Sequence, residues 1–162
     1  MGYNGFMTTI NLPIVSNKRE CGTCTRCCEG YLSADVKFDN RELIQLKPNA
    51  CPILKIGKGC GDYENRPEVP CKNFACGWIR IEDMPEEFKP NVSGVITQYV
   101  NDPKLKYWVV TKAPENPSAQ LLSWIISYAI GNGQNVLWYI DDKSYWIGTE
   151  EFSDKMKEMN ND

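Results

Sequence analysis

The sequence predicts a small single-domain α+β protein, residues 1–162, in which an irregular cysteine-rich half packs on a mixed sheet and helix. Three observations lead there. All eight cysteines lie between Cys21 and Cys76, and none falls in the last 86 residues. The cysteine segment is broken by proline and glycine, whereas strand-like and helix-like apolar patterns follow one another from residue 93 onward. A chain of 162 residues with five tryptophans and eight tyrosines can also build one hydrophobic core without covalent staples.

Charge divides at the same place. Residues 18–80 carry eleven Lys/Arg against eight Asp/Glu, a net +3, while residues 81–162 carry seven against thirteen, a net −6. No internal repeat or long linker separates the halves. They read as a cysteine-cluster region (18–80) and an α+β region (81–162) of one domain. The formal charge of −3 argues against general nucleic-acid binding. LLSWIISYAI is too short and too interrupted to span a bilayer. MGYNGFMTTINLPIVSN lacks the basic and apolar regions of an export signal, and Phe6 stands where a myristoylation signal has Ser or Thr. The expected setting is cytoplasmic, with no membrane association.

Taken in order, RELIQLK (41–47) suits a helix or short strand that Pro48 stops. Cys51 to Cys76 contains Pro52, Pro67 and Pro70 with Gly57, Gly59 and Gly61, which predicts irregular backbone. The three glycines imitate a phosphate loop but lack its Lys-Ser/Thr and following helix, so they read as turn residues. SGVITQYV (93–100) and LKYWVVTK (105–112) predict a hairpin across Asn101-Asp102-Pro103. Ser118 is placed to cap a helix through about Gly131, with Leu121, Leu122, Trp124, Ile125, Tyr128 and Ala129 on one face. NVLWYI (135–140), a DDKS turn and YWIGT (145–149) predict a second hairpin, with Asp141-Asp142 in the turn. EFSDKMKEMNND suits a short terminal helix. The aromatics of this half are expected to fill the core.

The opening cysteine run is CGTCTRCC. Cys27 and Cys28 lie about 3.8 Å apart at Cα, below the usual range for a disulfide of about 4.4–6.8 Å. On a helix, Cys21, Cys24 and Cys28 would share a face, with Cys27 to the side. Neighbouring thiols pointing apart suggest either more than one centre or a spare cysteine. Clustered cysteines in a reducing compartment more often bind metal than form disulfides. The chain has no histidine, so a metal site must be built from thiolates, aided at most by carboxylates. Tandem Cys-x2-Cys turns suit a cuboidal iron–sulfur cluster somewhat better than one tetrahedral zinc ion. Cys51, Cys60, Cys71 and Cys76 supply four more candidate ligands. They allow two four-cysteine sites, one cluster with one zinc, or one centre with surplus thiols. A metal would also hold together loops of such sparse structure. Lys18, Arg19, Arg26, Arg66 and Lys72 lie close in sequence to these thiols and could offset thiolate charge. Arg66, with Tyr63 and Pro67, has a structural reading as a loop tie, paired with Glu64, Glu68 or a carbonyl. Its functional reading is as a donor towards a bound cluster.

Cys21-Gly-Thr-Cys24-Thr-Arg-Cys27-Cys28, the lone Cys51, and Cys60, Tyr63, Arg66-Pro67, Cys71 and Cys76 followed by Trp78 resemble the CxxCxxCC cysteine-cluster family, often called YkgJ-like. The resemblance covers roughly residues 18–80, and DMPEEFKP is similar to a segment that follows in that family, with Met84 in place of leucine. It implies zinc or iron chelation by the eight cysteines. Larger members, the flagellin lysine methylases, are associated with an iron–sulfur cluster and S-adenosylmethionine, but no further methyltransferase region accompanies the cysteines here. The expectation is a metal-binding protein holding a [4Fe–4S]-type cluster or zinc, with a protein partner as a further possibility. The alternatives are an iron–sulfur-dependent redox or methyl-transfer enzyme and a metal chaperone or sensor.

Overall fold

A computed structural model of the chain describes residues 19–39 and 42–161. Its centre is a four-stranded sheet of β5 (Val95–Asn101), β6 (Lys106–Lys112), β7 (Asn135–Ile140) and β8 (Lys143–Ile147), in that spatial order. The outer pairs are antiparallel hairpins. The middle pair, β6 and β7, is parallel, so the sheet is mixed. A parallel pair needs a crossover, and α3 (Ala119–Gly131) supplies it. Ser118 caps α3 by accepting the Leu121 N–H at 3.1 Å. Thr149 does the same for α4 (Glu150–Asn160), accepting from Phe152 at 3.2 Å.

Strand alternation sends side chains to two faces. Trp108, Val110 and Val136 pack with Leu121, Ile125 and Ala129 of α3 in the main core. Tyr107, Val109 and Leu137 pack with Phe152 and Met156 of α4 on the opposite face. Buried Asn135 joins the layers: its amide donates to the Lys106 carbonyl at 3.1 Å, and its carbonyl oxygen accepts the Thr149 N–H at 2.8 Å. The 135–149 hairpin turns more tightly than expected. Asp141 and Asp142 alone make the turn, at φ 48° and 64°, and Lys143 and Ser144 already belong to β8. Asp142 pairs with Lys112 at 2.9 Å, and Asp141 accepts from Asn116 at 2.8 Å, so the two aspartates act as turn residues.

The cysteine half contains little regular structure. Two-residue strands pair as β1 (Asp35–Val36) with β2 (Ile44–Gln45), and as β3 (Leu54–Lys55) with β4 (Gly59–Cys60). Within the 42–47 stretch only Ile44–Gln45 is strand; Gly57, at φ 72°, lies in the β3–β4 turn as predicted, whereas Gly59 already belongs to β4. A kinked turn at Glu68–Lys72, with Val69 extended, then α1 (Gly77–Arg80) and α2 (Pro90–Ser93) follow. Trp78, at the end of the cysteine region, and the adjoining Ile81, Met84 and Phe88 pack on the sheet's α3 face. Phe88 meets Trp124 edge-on at 6.2 Å. Gly77 is necessary at that junction, since a Cβ there would overlap Thr97 and come within 3.3 Å of the Trp108 ring. A separate small core forms around Val36, Phe38 and Leu46. Among the described residues no helix is long and apolar enough to cross a membrane.

Candidate metal centre

The CGTCTRCC segment does not form the helix considered above. Cys21–Cys24 is a tight turn, with the Cys24 N–H on the Cys21 carbonyl at 2.9 Å, and a single 3-10 turn spans Arg26–Cys28. Glu29 fixes that turn by accepting from Thr25 Oγ1 and from Arg26 at 2.8 Å. Immediately afterwards the chain touches the 48–51 loop. Gly30 sits at φ 93°, where an added Cβ would lie 2.5 Å from the Pro48 carbonyl oxygen, and only glycine tolerates both the angle and the approach. The contact lets the Cys51 N–H donate to the Cys28 carbonyl at 2.8 Å.

All eight cysteines are free thiols, and they fall into two groups. Cys27 and Cys76 pack on the main core. Cys51, Cys60 and Cys71 pack on the small Val36/Phe38/Leu46 core. The electrostatics follow the division in its largest pairings, while Cys28 also acts on Cys27 and Cys21 on Cys28 across it. Burial pushes the Cys27 thiol well up, and charge on Cys76, Cys21, Cys28 and Cys24 pushes it further. Burial, then Cys51, Cys71, Cys60 and Cys21, raise Cys28 from 9.0 to about 12. Cys71 is raised by burial and then by Cys60 and Cys51. Cys76 is raised to about 11 by burial, with charge on Cys21 and Cys24 adding to it. Cys27 therefore keeps company with Cys76, Cys21 and Cys24, while Cys28 turns mainly towards Cys51, Cys71 and Cys60 and is reached by Cys21 as well, so the face shared by Cys21, Cys24 and Cys28 on a helix is not formed. A 3-10 turn with no helix behind it aims the two adjacent side chains at different neighbours.

Two features favour sulfur carrying negative charge. Cys76 is the N-cap of α1: the Ile79 N–H donates to its carbonyl oxygen at 3.0 Å, and the Ile79 and Trp78 N–H groups near its sulfur oppose the rise in its pKa. Cys21 reaches solvent; burial and then Cys24 raise its thiol, and Lys89 and Arg66 offset part of that rise. Arg66 also acts on Cys71. Its charge reaches one thiol in each group, while its Nε donates to the Tyr63 carbonyl at 2.9 Å and its guanidinium lies 3.4 Å from the Tyr63 ring centroid. The carbonyl tie anticipated for Arg66 is thus present, and its charge is still available to the sulfurs.

The other cations are placed differently from expectation. Arg19 donates to the carbonyls of Trp78, Ile81 and Met84 at 2.8, 3.1 and 3.0 Å, stitching the start of the cysteine run to the end of α1. Arg26 pairs with Glu29, and Lys72 with Glu68 at 3.5 Å. Lys18 lies outside the described residues. Lys89 was missed. It lies 4.4 Å from the Trp78 ring centroid as well as near Cys21, and no spacing rule connects residue 89 to residue 21. Among the described residues, the Trp78 indole N–H is the buried side-chain donor with no acceptor.

Among the described residues, no group of three or more Cys, Asp or Glu side chains is arranged to hold a metal ion as it stands. The sulfurs are gathered but not closed around a point. Their chemistry suits a thiophilic centre: clustered soft donors, nearby cations, the N-terminal turn of α1 beside Cys76, and an unpartnered indole donor two residues from Cys76. Comparison with protein-family models, curated proteins and solved structures finds no match.

Proposed function

We propose that this chain is a metal-binding protein whose thiolates hold an inorganic centre, iron–sulfur or zinc, as its resemblance to the CxxCxxCC cysteine-cluster family implies. One observation carries the reading. Eight unpaired thiols from sequence positions as far apart as Cys21 and Cys76 gather in neighbouring groups instead of scattering or bonding in pairs. Ionising so many thiols together is unfavourable unless a cation binds them, because burial and mutual repulsion both resist thiolate formation. A bound metal reverses that balance by coordinating the thiolates and organising loops with little core of their own. The cysteines would be the ligands. Arg66 would donate towards sulfur at the junction of the groups, and the reducing conditions this requires match a cytoplasmic setting.

The test is anaerobic purification with iron, zinc and acid-labile sulfide quantified per chain. It is repeated for Cys24→Ser and Cys71→Ser. Stoichiometric metal in the parent, with less in each variant, is expected. Metal content unchanged in both variants would mean that the ligands lie elsewhere.

A further inference from the structure

We infer that the eight thiols form two adjoining four-thiolate centres that load independently. The inner centre comprises Cys21, Cys24, Cys27 and Cys76. The outer comprises Cys28, Cys51, Cys60 and Cys71. The inference deepens the metal-binding reading above and rests on it.

Packing makes the division. Cys27 and Cys76 lie on the main core, which is backed by α3 and the four-stranded sheet. Cys51, Cys60 and Cys71 lie on a different core, built on Val36, Phe38 and Leu46. Cys28 is drawn to that second group by backbone. Its carbonyl accepts the Cys51 N–H at 2.8 Å, and the close approach at Gly30 holds the two loops together. Cys21 and Cys24 belong to one turn that precedes Cys27, leaving them with the inner group. Four and four is also the ligand count that tetrahedral zinc and cubane clusters each use. The peptide bond between Cys27 and Cys28 is thus the boundary between the centres.

The two supports differ in strength. The outer core has three buried side chains and strands of two residues each, too little to hold its loops without a staple. The inner group stands on a core that includes Trp108, Val110, Leu121 and Ile125, all nearly inaccessible. Loss of the outer metal therefore unravels residues 32–39 and 42–72 and leaves the sheet folded.

The test uses the full chain, loaded anaerobically with iron and sulfide and, in parallel, with zinc. Cys27→Ser and Cys28→Ser are expected each to lose half the metal. Pairing Cys27→Ser with Cys24→Ser removes no more, and pairing Cys28→Ser with Cys71→Ser likewise removes no more. Pairing Cys27→Ser with Cys28→Ser removes all of it. Hydrogen exchange supplies a readout independent of metal content: Cys71→Ser loses protection across 32–39 and 42–72 but not in β5–β8, whereas Cys24→Ser keeps those residues protected. If a buried substitution prevents folding, the half-buried Cys24 and Cys71 positions carry the same comparison. Complete loss in a within-group double variant, or half retention in the Cys27/Cys28 double variant, overturns the division and leaves metal binding standing. A parent chain that binds no metal under either loading overturns the metal-binding reading itself.

Discussion

The adjacent residues Cys27 and Cys28 show how much one peptide bond can separate, and their titration makes a prediction for the metal-free chain. Cys28 is held up to about 12 and Cys76 to about 11, against an ordinary 9.0. A thiol harder to ionise when folded contributes stability that is fully present below the unfolded value and is lost as pH rises through the folded one. The denaturation midpoint of the metal-free protein is therefore expected to be insensitive to these groups below pH 9.0 and to fall towards about 12. Cys28→Ser should flatten that fall, and a midpoint rising across the window would contradict the assignment. Arg66 belongs to the same scale. Replacing it with alanine removes the charge that reaches Cys21 and Cys71. A competing chelator should then reveal metal affinity lower by roughly 10–100-fold. Arg66→Lys, which keeps the charge but loses the plane stacked on Tyr63, should recover part of it.

Two glycines govern how elements meet, and their substitutions should separate fold from site. Gly77→Ala forces a Cβ into Thr97 and is expected to cost about 1–3 kcal/mol, the usual range for overpacking, measured by denaturant titration. Gly30→Ala strains a left-handed backbone and pushes it from the Pro48 carbonyl. It should therefore lower metal content while far-UV circular dichroism from β5–β8, α3 and α4 persists. Ser118→Ala is the control. It removes the α3 cap for about 1 kcal/mol and should leave metal content unchanged. The cap was legible because Ser118 directly precedes an amphipathic run. The β5–β6 hairpin was legible because β-branched and aromatic residues flank Asn101-Asp102-Pro103. The turn at Asp141-Asp142 was drawn too wide, since Lys143 and Ser144 have no local signal that distinguishes turn from strand.

For the whole molecule, the decisive feature is an unequal pair of supports. The α4-side cluster contains no cysteine, and Cys76 is the one cysteine among the buried residues of the main cluster. Stripping all metal is accordingly expected to leave buried Trp108 in a folded environment, read as a blue-shifted tryptophan emission that unfolds cooperatively. Simultaneous loss of that emission with the metal would mean that sheet and cysteine region are one folding unit.

The amino-acid sequence by itself determined which soft side chains the proposed centre could use, because it has eight cysteines and no histidine. It also determined most of the α+β region, where caps, turns and periodicity act between residues a few positions apart. The tertiary structure decided the rest: which thiols are neighbours, that Arg19 serves carbonyls instead of sulfur, and that Lys89 faces Cys21. Those relations join residues dozens of positions apart through loops with no period to read, so only the packing of one segment on another could establish them.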